Sequence, residues 1–107
     1  MQHHWLVKKI VLPLFKQGKD LEVRSRNGYM KKIRIGDVLF INRELLREVV
    51  AIRAYPNLKA MLQTEDYLRI YPYARSSDEL LILLQGLYPP SIEKLGILVF
   101  ELKRVGI

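Results

Sequence analysis

Two stretches of this chain alternate apolar and polar residues with a period of two, and that pattern limits the fold more than anything else in the sequence. Over residues 20–26, Leu21 and Val23 fall on one side of an extended backbone, and Asp20, Glu22, Arg24 and Arg26 on the other. Over residues 96–103, Leu98, Phe100 and Leu102 oppose Glu101 and Lys103 in the same way. Both are read as half-buried strands. The run Val38-Leu39-Phe40-Ile41, introduced by a turn at Gly36-Asp37, reads as a strand covered on both faces. Residues 45–55 carry conflicting signals: Leu45, Leu46, Val49 and Val50 recur at helical spacing, but Val49, Val50 and Ile52 are β-branched. A strand is the better reading, because Asn42-Arg43-Glu44 is short enough to connect a hairpin.

Shorter elements fill the gaps. An edge strand is expected over residues 4–9 and a short helix over 11–17, with Pro13 tolerated in its first turn and Gly18 ending it. Asn27-Gly28 predicts a hairpin or tight loop, since both residues accept positive φ. Asn57 caps a brief helix reaching Met61 or Leu62, and residues 67–73 look irregular. Ser76 followed by Glu79 forms a capping box for a helix over 77–87, which Pro89-Pro90 prevents from continuing. The expected fold is α+β and mainly β: a small barrel or open sheet of five to six strands, with two or three short helices over its ends.

The 107 residues fit one domain, with no repeat, low-complexity tract or linker to divide them. A chain of this size buries about two-thirds of its unfolded surface, enough for an unstapled core. The absence of cysteine excludes disulfides, thiolate catalysis, cysteine-bound zinc and iron–sulfur clusters, and fits a reducing compartment. The longest apolar runs fall far short of the roughly 20 residues a membrane span needs. Met1-Gln2-His3-His4-Trp5 lacks the charged and apolar regions of a signal peptide. A cytoplasmic protein that does not enter the membrane is expected.

Charge is distributed unevenly. Up to Arg53 there are 12 basic and 5 acidic residues; beyond it, 6 of each. Lys8, Lys9, Lys16, Lys19, Arg24, Arg26, Lys31, Lys32 and Arg34 are opposed between positions 8 and 34 only by Asp20 and Glu22, so this window carries the whole net charge of +7. A concentration of this kind suits a polyanion, whose condensed counterions are released on contact. A lysine-rich surface kept for solubility is the plainer alternative.

Several chemistries lack their residues. His3 and His4 are adjacent, so on a strand they face opposite sides, and no carboxylate cluster joins them; they are expected to be terminal histidines, with no metal. A serine hydrolase would need an imidazole held beside a hydroxyl, and both histidines lie at the terminus. Neither GxxxxGK[ST] nor GxGxxG occurs, so nucleotide hydrolysis is disfavoured, and no cofactor is expected.

The stretch Phe15-Lys16-Gln17-Gly18-Lys19-Asp20-Leu21-Glu22-Val23-Arg24, followed by Ile35-Gly36-Asp37-Val38-Leu39-Phe40, resembles the ASCH domain family. That family's signature is GxKxxExR, then a loop, then a hydrophobic strand introduced by Gly-Asp. Lys19, Glu22 and Arg24 match its charged trio. The family's glycine usually stands where Gln17 does, one position before Gly18. Tyr55-Pro56 and Leu87-Tyr88-Pro89 extend the likeness over most of the chain. The resemblance implies a PUA-like pseudobarrel with a cleft into which the trio projects. Independently of it, Glu22 and Arg24 stand two apart on one strand and therefore share a face, where a carboxylate can orient guanidinium donors toward phosphate or a base edge.

Two classes of function follow. As a binding module, the chain is expected to hold RNA on a basic cleft made by Lys16, Lys19, Glu22, Arg24, Arg26, Lys31, Lys32 and Arg34. Tyr29 and Trp5 are candidate stacking partners, Trp5 being read first as core. A nucleotide-like small molecule in the same cleft is a narrower version of that reading. As an enzyme, the resemblance implies either an amidohydrolase acting on an acylated cytidine nucleoside or a ribonuclease. Lys19 would fill the signature-lysine role, and Glu65 or Asp66 lies where a later carboxylate is needed. Glu22 stands where the hydrolase subgroup has threonine, so its nucleophile is missing; a Lys19–Glu22 pair could still move protons if burial shifted their pKa values.

Overall fold

A computed structural model describes residues 1–106. In chain order it contains β1 (Gln2–Trp5), a 3-10 turn (Leu12–Lys16), β2 (Leu21–Ser25), a second 3-10 turn (Met30–Lys32), β3 (Val38–Ile41), β4 (Leu45–Tyr55), α1 (Leu58–Thr64), α2 (Tyr67–Ile70), α3 (Ser77–Leu87), α4 (Pro90–Glu93) and β5 (Ile97–Arg104). The strands form one mixed sheet in the order β1-β3-β4-β5-β2, with β1 parallel to β3 and every other pairing antiparallel. The sheet curls into a half-barrel, so the α+β pseudobarrel is the architecture found, with five strands and, among the described residues, four α-helices rather than two or three.

Each face of the sheet has its own core. The inner face gathers Trp5, Phe15, Leu39, Ile41, Val49 and Phe100, with Trp5 standing edge-on to Phe100 at 5.2 Å between ring centroids. The outer face sets Leu21, Val23, Ile97 and Val99 against Leu58 and Met61 of α1 and Leu80 and Leu84 of α3. β5 is therefore covered on both sides along residues 97–100, and only its distal half keeps the half-buried alternation. The two helix caps expected from the sequence are found: Asn57 Oδ1 accepts from Ala60 N at 2.8 Å, and Ser76 Oγ from Glu79 N at 3.0 Å.

Four local expectations are corrected. β1 lies at 2–5 rather than 4–9, because its partner is the distant β3 and no local signal fixes that register. Asn27-Gly28 makes no hairpin. Asn27 Oδ1 instead accepts from Met30 N at 2.9 Å and starts a 3-10 turn, and β2 pairs with β5 rather than with its sequence neighbour. The tight turn with two consecutive positive-φ residues is at Asn42 (52°) and Arg43 (57°), joining β3 to β4. Residues 67–70 form a single helical turn, capped by Asp66 Oδ1 accepting from Leu68 N.

His3 is not a frayed terminal residue. Its ring is buried, Nε2 donates to Asp37 Oδ2 at 2.8 Å, and Tyr29 Oη lies 3.4 Å from Nδ1. Asp37 also accepts from the backbone N–H of Arg34 at 3.0 Å, so the Gly36-Asp37 turn fastens β1 to the start of β3. That backbone donor first, and His3 second, pull the Asp37 carboxyl down from 3.8 to about 2. A carboxyl depressed by folding contributes stability that is complete above its unfolded pKa and is lost as pH falls through its folded one. Urea unfolding midpoints of the wild type should therefore fall between pH 4 and pH 2, whereas Asp37→Asn should start less stable and change less across that window.

Candidate functional site

The 3-10 turn at Leu12–Lys16 buries Phe15 in the inner core, and Gly18, at φ 109°, swings the chain back so that Lys19 enters the protein just before β2. The Lys19 ammonium is buried and makes three polar contacts: Leu21 O at 2.7 Å, Ile70 O at 2.9 Å and Glu22 Oε1 at 3.1 Å. An ammonium has three donors, so its hydrogen-bonding capacity is spent. Glu22, opposite Phe100 in the β2–β5 register, offers its other oxygen to Arg24 Nη2 at 3.0 Å. Arg24 Nη2 also donates to Leu6 O at 3.0 Å, and the guanidinium lies 4.5 Å from the Trp5 ring centroid. β1 and β2 are the two edges of the sheet, so Arg24 latches one edge strand to the chain leaving the other.

Burial pushes the Glu22 carboxyl upward, but the charges and hydrogen bonds of Lys19 and Arg24 outweigh it and hold the group below its ordinary value. Glu22 is therefore an ionised carboxylate between two cations. It lines a groove with two connected parts. The inner part, about 120 Å³, has Lys19 and Glu22 on its polar side and Leu80, Leu84 and Tyr71 among its apolar walls. The outer part, about 220 Å³, adds Leu6, Lys8 and Arg24, and shares Val11, Glu22, Val23, Leu87 and Tyr88 with the inner one. Tyr88 Oη donates to Val23 O at 2.8 Å, which ties the end of α3 to β2. Burial first, and the nearby Glu22 charge second, push the Tyr88 hydroxyl up to about 12, so it remains a neutral donor. Leu83 and Leu87 are partly exposed, leaving an apolar rim.

Of the eight residues expected to make the basic cleft, only Lys19, Glu22 and Arg24 line this groove. The cationic window does not close round a single mouth. Arg26 and Lys31 line a different hollow, beside Ile52 and Leu98. Lys16 lines a third, with Glu44 and Leu45, while Lys32 and Arg34 are exposed in the segment between β2 and β3. The physical reason is that Asn27 turns the chain away after β2, carrying residues 31–34 to another side of the barrel. Of the candidate stacking residues, Trp5 is core and Tyr29 half exposed.

The proposed catalytic set of Lys19, Glu22 and Glu65 is not assembled. Glu65 is held by Nε and Nη2 of Arg53, at 2.6 and 2.8 Å, and by Tyr55 Oη, away from the groove. Asp66 is spent capping α2. Sequence reasoning missed Tyr71 and left Lys8 and Tyr88 out of the site; the Leu87-Tyr88-Pro89 likeness was the one signal that could have placed Tyr88 there. Among the described residues, no group of three or more His, Asp or Glu side chains could hold a metal ion, and no helix is long and apolar enough to cross a membrane.

Comparison with known proteins finds no family model that matches the chain and no curated protein that does. Solved structures do match. The crystal structure of the hypothetical protein PH0355 superposes with a TM-score of 0.90 at 25% identity, covering 98% of this chain and 100% of that one. The solution structure of protein PF0455 from Pyrococcus furiosus does so with a TM-score of 0.83 at 25% identity, covering 100% of each chain. The likeness extends over the whole half-barrel.

The trio should behave as one electrostatic unit. Lys19→Met strands the buried Glu22 carboxylate with Arg24 alone and is expected to cost about 3–5 kcal/mol in urea unfolding. Adding Glu22→Gln to that variant should recover part of the loss, because the unpaired charge is then gone.

Proposed function

We propose that this chain is a nucleic-acid-binding module of the ASCH type, PUA-like in architecture, that takes a short single-stranded RNA segment into the groove beside β2 and acts in the cytoplasm. The observation that carries the reading is the Glu22 carboxylate, kept ionised between Lys19 and Arg24 on the polar side of an otherwise apolar groove. Aliphatic and aromatic walls suit the faces of a nucleobase. A carboxylate at the polar side suits an exocyclic amino group, and Lys8 and Arg24 at the outer part suit flanking phosphates. The lack of cysteine supports the reducing compartment.

Lys19 has no donor left for a ligand, so its role is to hold Glu22 rather than to meet phosphate or move protons. The cations around the groove are consequently fewer than the sequence suggested, and the ligand is short: a few nucleotides, or a single nucleotide-like molecule. Arg26, Lys31, Lys32 and Arg34 would be engaged only by a longer strand that wraps beyond the groove.

Fluorescence anisotropy with labelled short RNAs tests the reading. With about two phosphates met, by Lys8 and Arg24, log affinity should fall on log salt with a slope of about −1.4. Arg24→Gln should weaken binding by about tenfold or more, the scale of one charge-assisted contact. Reversing both Lys31 and Lys32 to Glu should leave a mononucleotide unaffected and weaken a longer oligomer. Absence of binding at low salt contradicts the proposal.

A further inference from the structure

Away from the groove, a buried arginine stands apart from the three that hold carboxylates. Arg24, Arg53 and Arg69, whose side chains are 23%, 34% and 37% exposed, each hold a carboxylate. Arg47 is 8% exposed and has, among the described residues, no carboxylate within ion-pair distance. Its one hydrogen bond runs from Nη1 to the carbonyl of its neighbour Leu46, at 2.9 Å. Its guanidinium makes no other hydrogen bond among the described residues, but its free nitrogens are not enclosed without a partner, since among those residues only Trp5 Nε1 is; its carbon lies 5.9 Å from the Phe15 ring centroid.

The strand register makes this costlier. Arg104 stands directly opposite Arg47 across β4 and β5, on the same face of the sheet, and like charges in that position repel. The surrounding carboxylates are committed elsewhere. Glu48 is on the opposite face of β4, 3.9 Å from Lys103, and Glu101 and Asp20 hold Arg53 and Arg69. Glu44, on the turn before β4, lines the neighbouring hollow with Lys16 and Leu45. Burial and the Arg104 charge both lower the Arg47 pKa, yet a guanidinium keeps its proton at any physiological pH. The charge must be met by something other than titration.

We propose that Arg47 and Arg104 together form a phosphate-binding site at the end of the half-barrel next to Phe15, separate from the groove. Two arginines directly opposite each other on adjacent strands can offer paired N–H donors to one tetrahedral oxyanion, and the anion offsets their repulsion. Free inorganic phosphate and the terminal phosphate of a nucleotide or oligonucleotide share this chemistry.

Thermal unfolding of the full chain in millimolar inorganic phosphate, against sodium chloride at matched ionic strength, tests the site. The wild type should gain about 5 °C in Tm at phosphate well above its Kd. Arg104→Gln, whose side chain is exposed and whose loss leaves the fold intact, should lose that gain; Arg24→Gln, in the groove, should retain it. Arg47→Met should lose the gain yet unfold no earlier than the wild type in phosphate-free buffer, because the repulsion with Arg104 has been removed. If that variant fails to fold, Arg104→Gln decides. Oligonucleotides with and without a 5′-phosphate separate the sources. Tighter binding of the phosphorylated one assigns the site to nucleic-acid ends, and equal binding assigns it to free phosphate. Equal Tm values in phosphate and chloride, or a gain that survives in Arg104→Gln, overturns the proposal.

Discussion

Glu22 sits where the sheet leaves its two edges to be joined, and the two cations that flank it do different work. Lys19 neutralises the carboxylate from below and spends its remaining donors on Leu21 and Ile70 carbonyls, which fixes α2 against β2. Arg24 neutralises it from the rim and reaches across to Leu6 O, closing the gap between β1 and β2. Had the carboxylate been buried alone, it would have protonated; paired on both sides, it stays charged in an apolar setting. The groove, the latch and the position of α3 through Tyr88 all depend on that balance.

The trio therefore holds the structure together and also makes the site. Its internal pairing does not remove the site, because a carboxylate with two cationic partners still has lone pairs to offer, and Arg24 has donors that are not directed at Glu22. Lys19 is the member that function cannot draw on directly. Its burial turns a residue that looks catalytic in a linear signature into a positioning residue.

Signals confined to a few residues were legible in the sequence: the caps at Asn57 and Ser76, the position of β2 though not its half-burial, since Glu22 is buried with Leu21 and Val23, the extent of β4, and the shared face of Glu22 and Arg24. Anything requiring distant partners was not. The parallel pairing of β1 with β3 has no local signature, and Asn27-Gly28 was misleading because a capping side chain suits a 3-10 turn as well as a hairpin. The clustering of cations along the chain did not translate into clustering in space, since Lys16, Arg26 and Lys31 follow elements that diverge. Arg47 and Arg104 went unnoticed for the converse reason: far apart in sequence and outside the basic window, they meet only through the β4–β5 register.

The most direct measurement is a titration of the isotopically labelled protein with a short single-stranded RNA, followed by amide chemical shifts. The account predicts that the perturbed residues cluster on one surface running through Lys8, Glu22, Val23, Arg24, Leu87 and Tyr88, with the largest changes at Glu22 and Arg24. Perturbations confined to residues 31–34, or scattered over the exposed lysines with the Glu22 region silent, would contradict it.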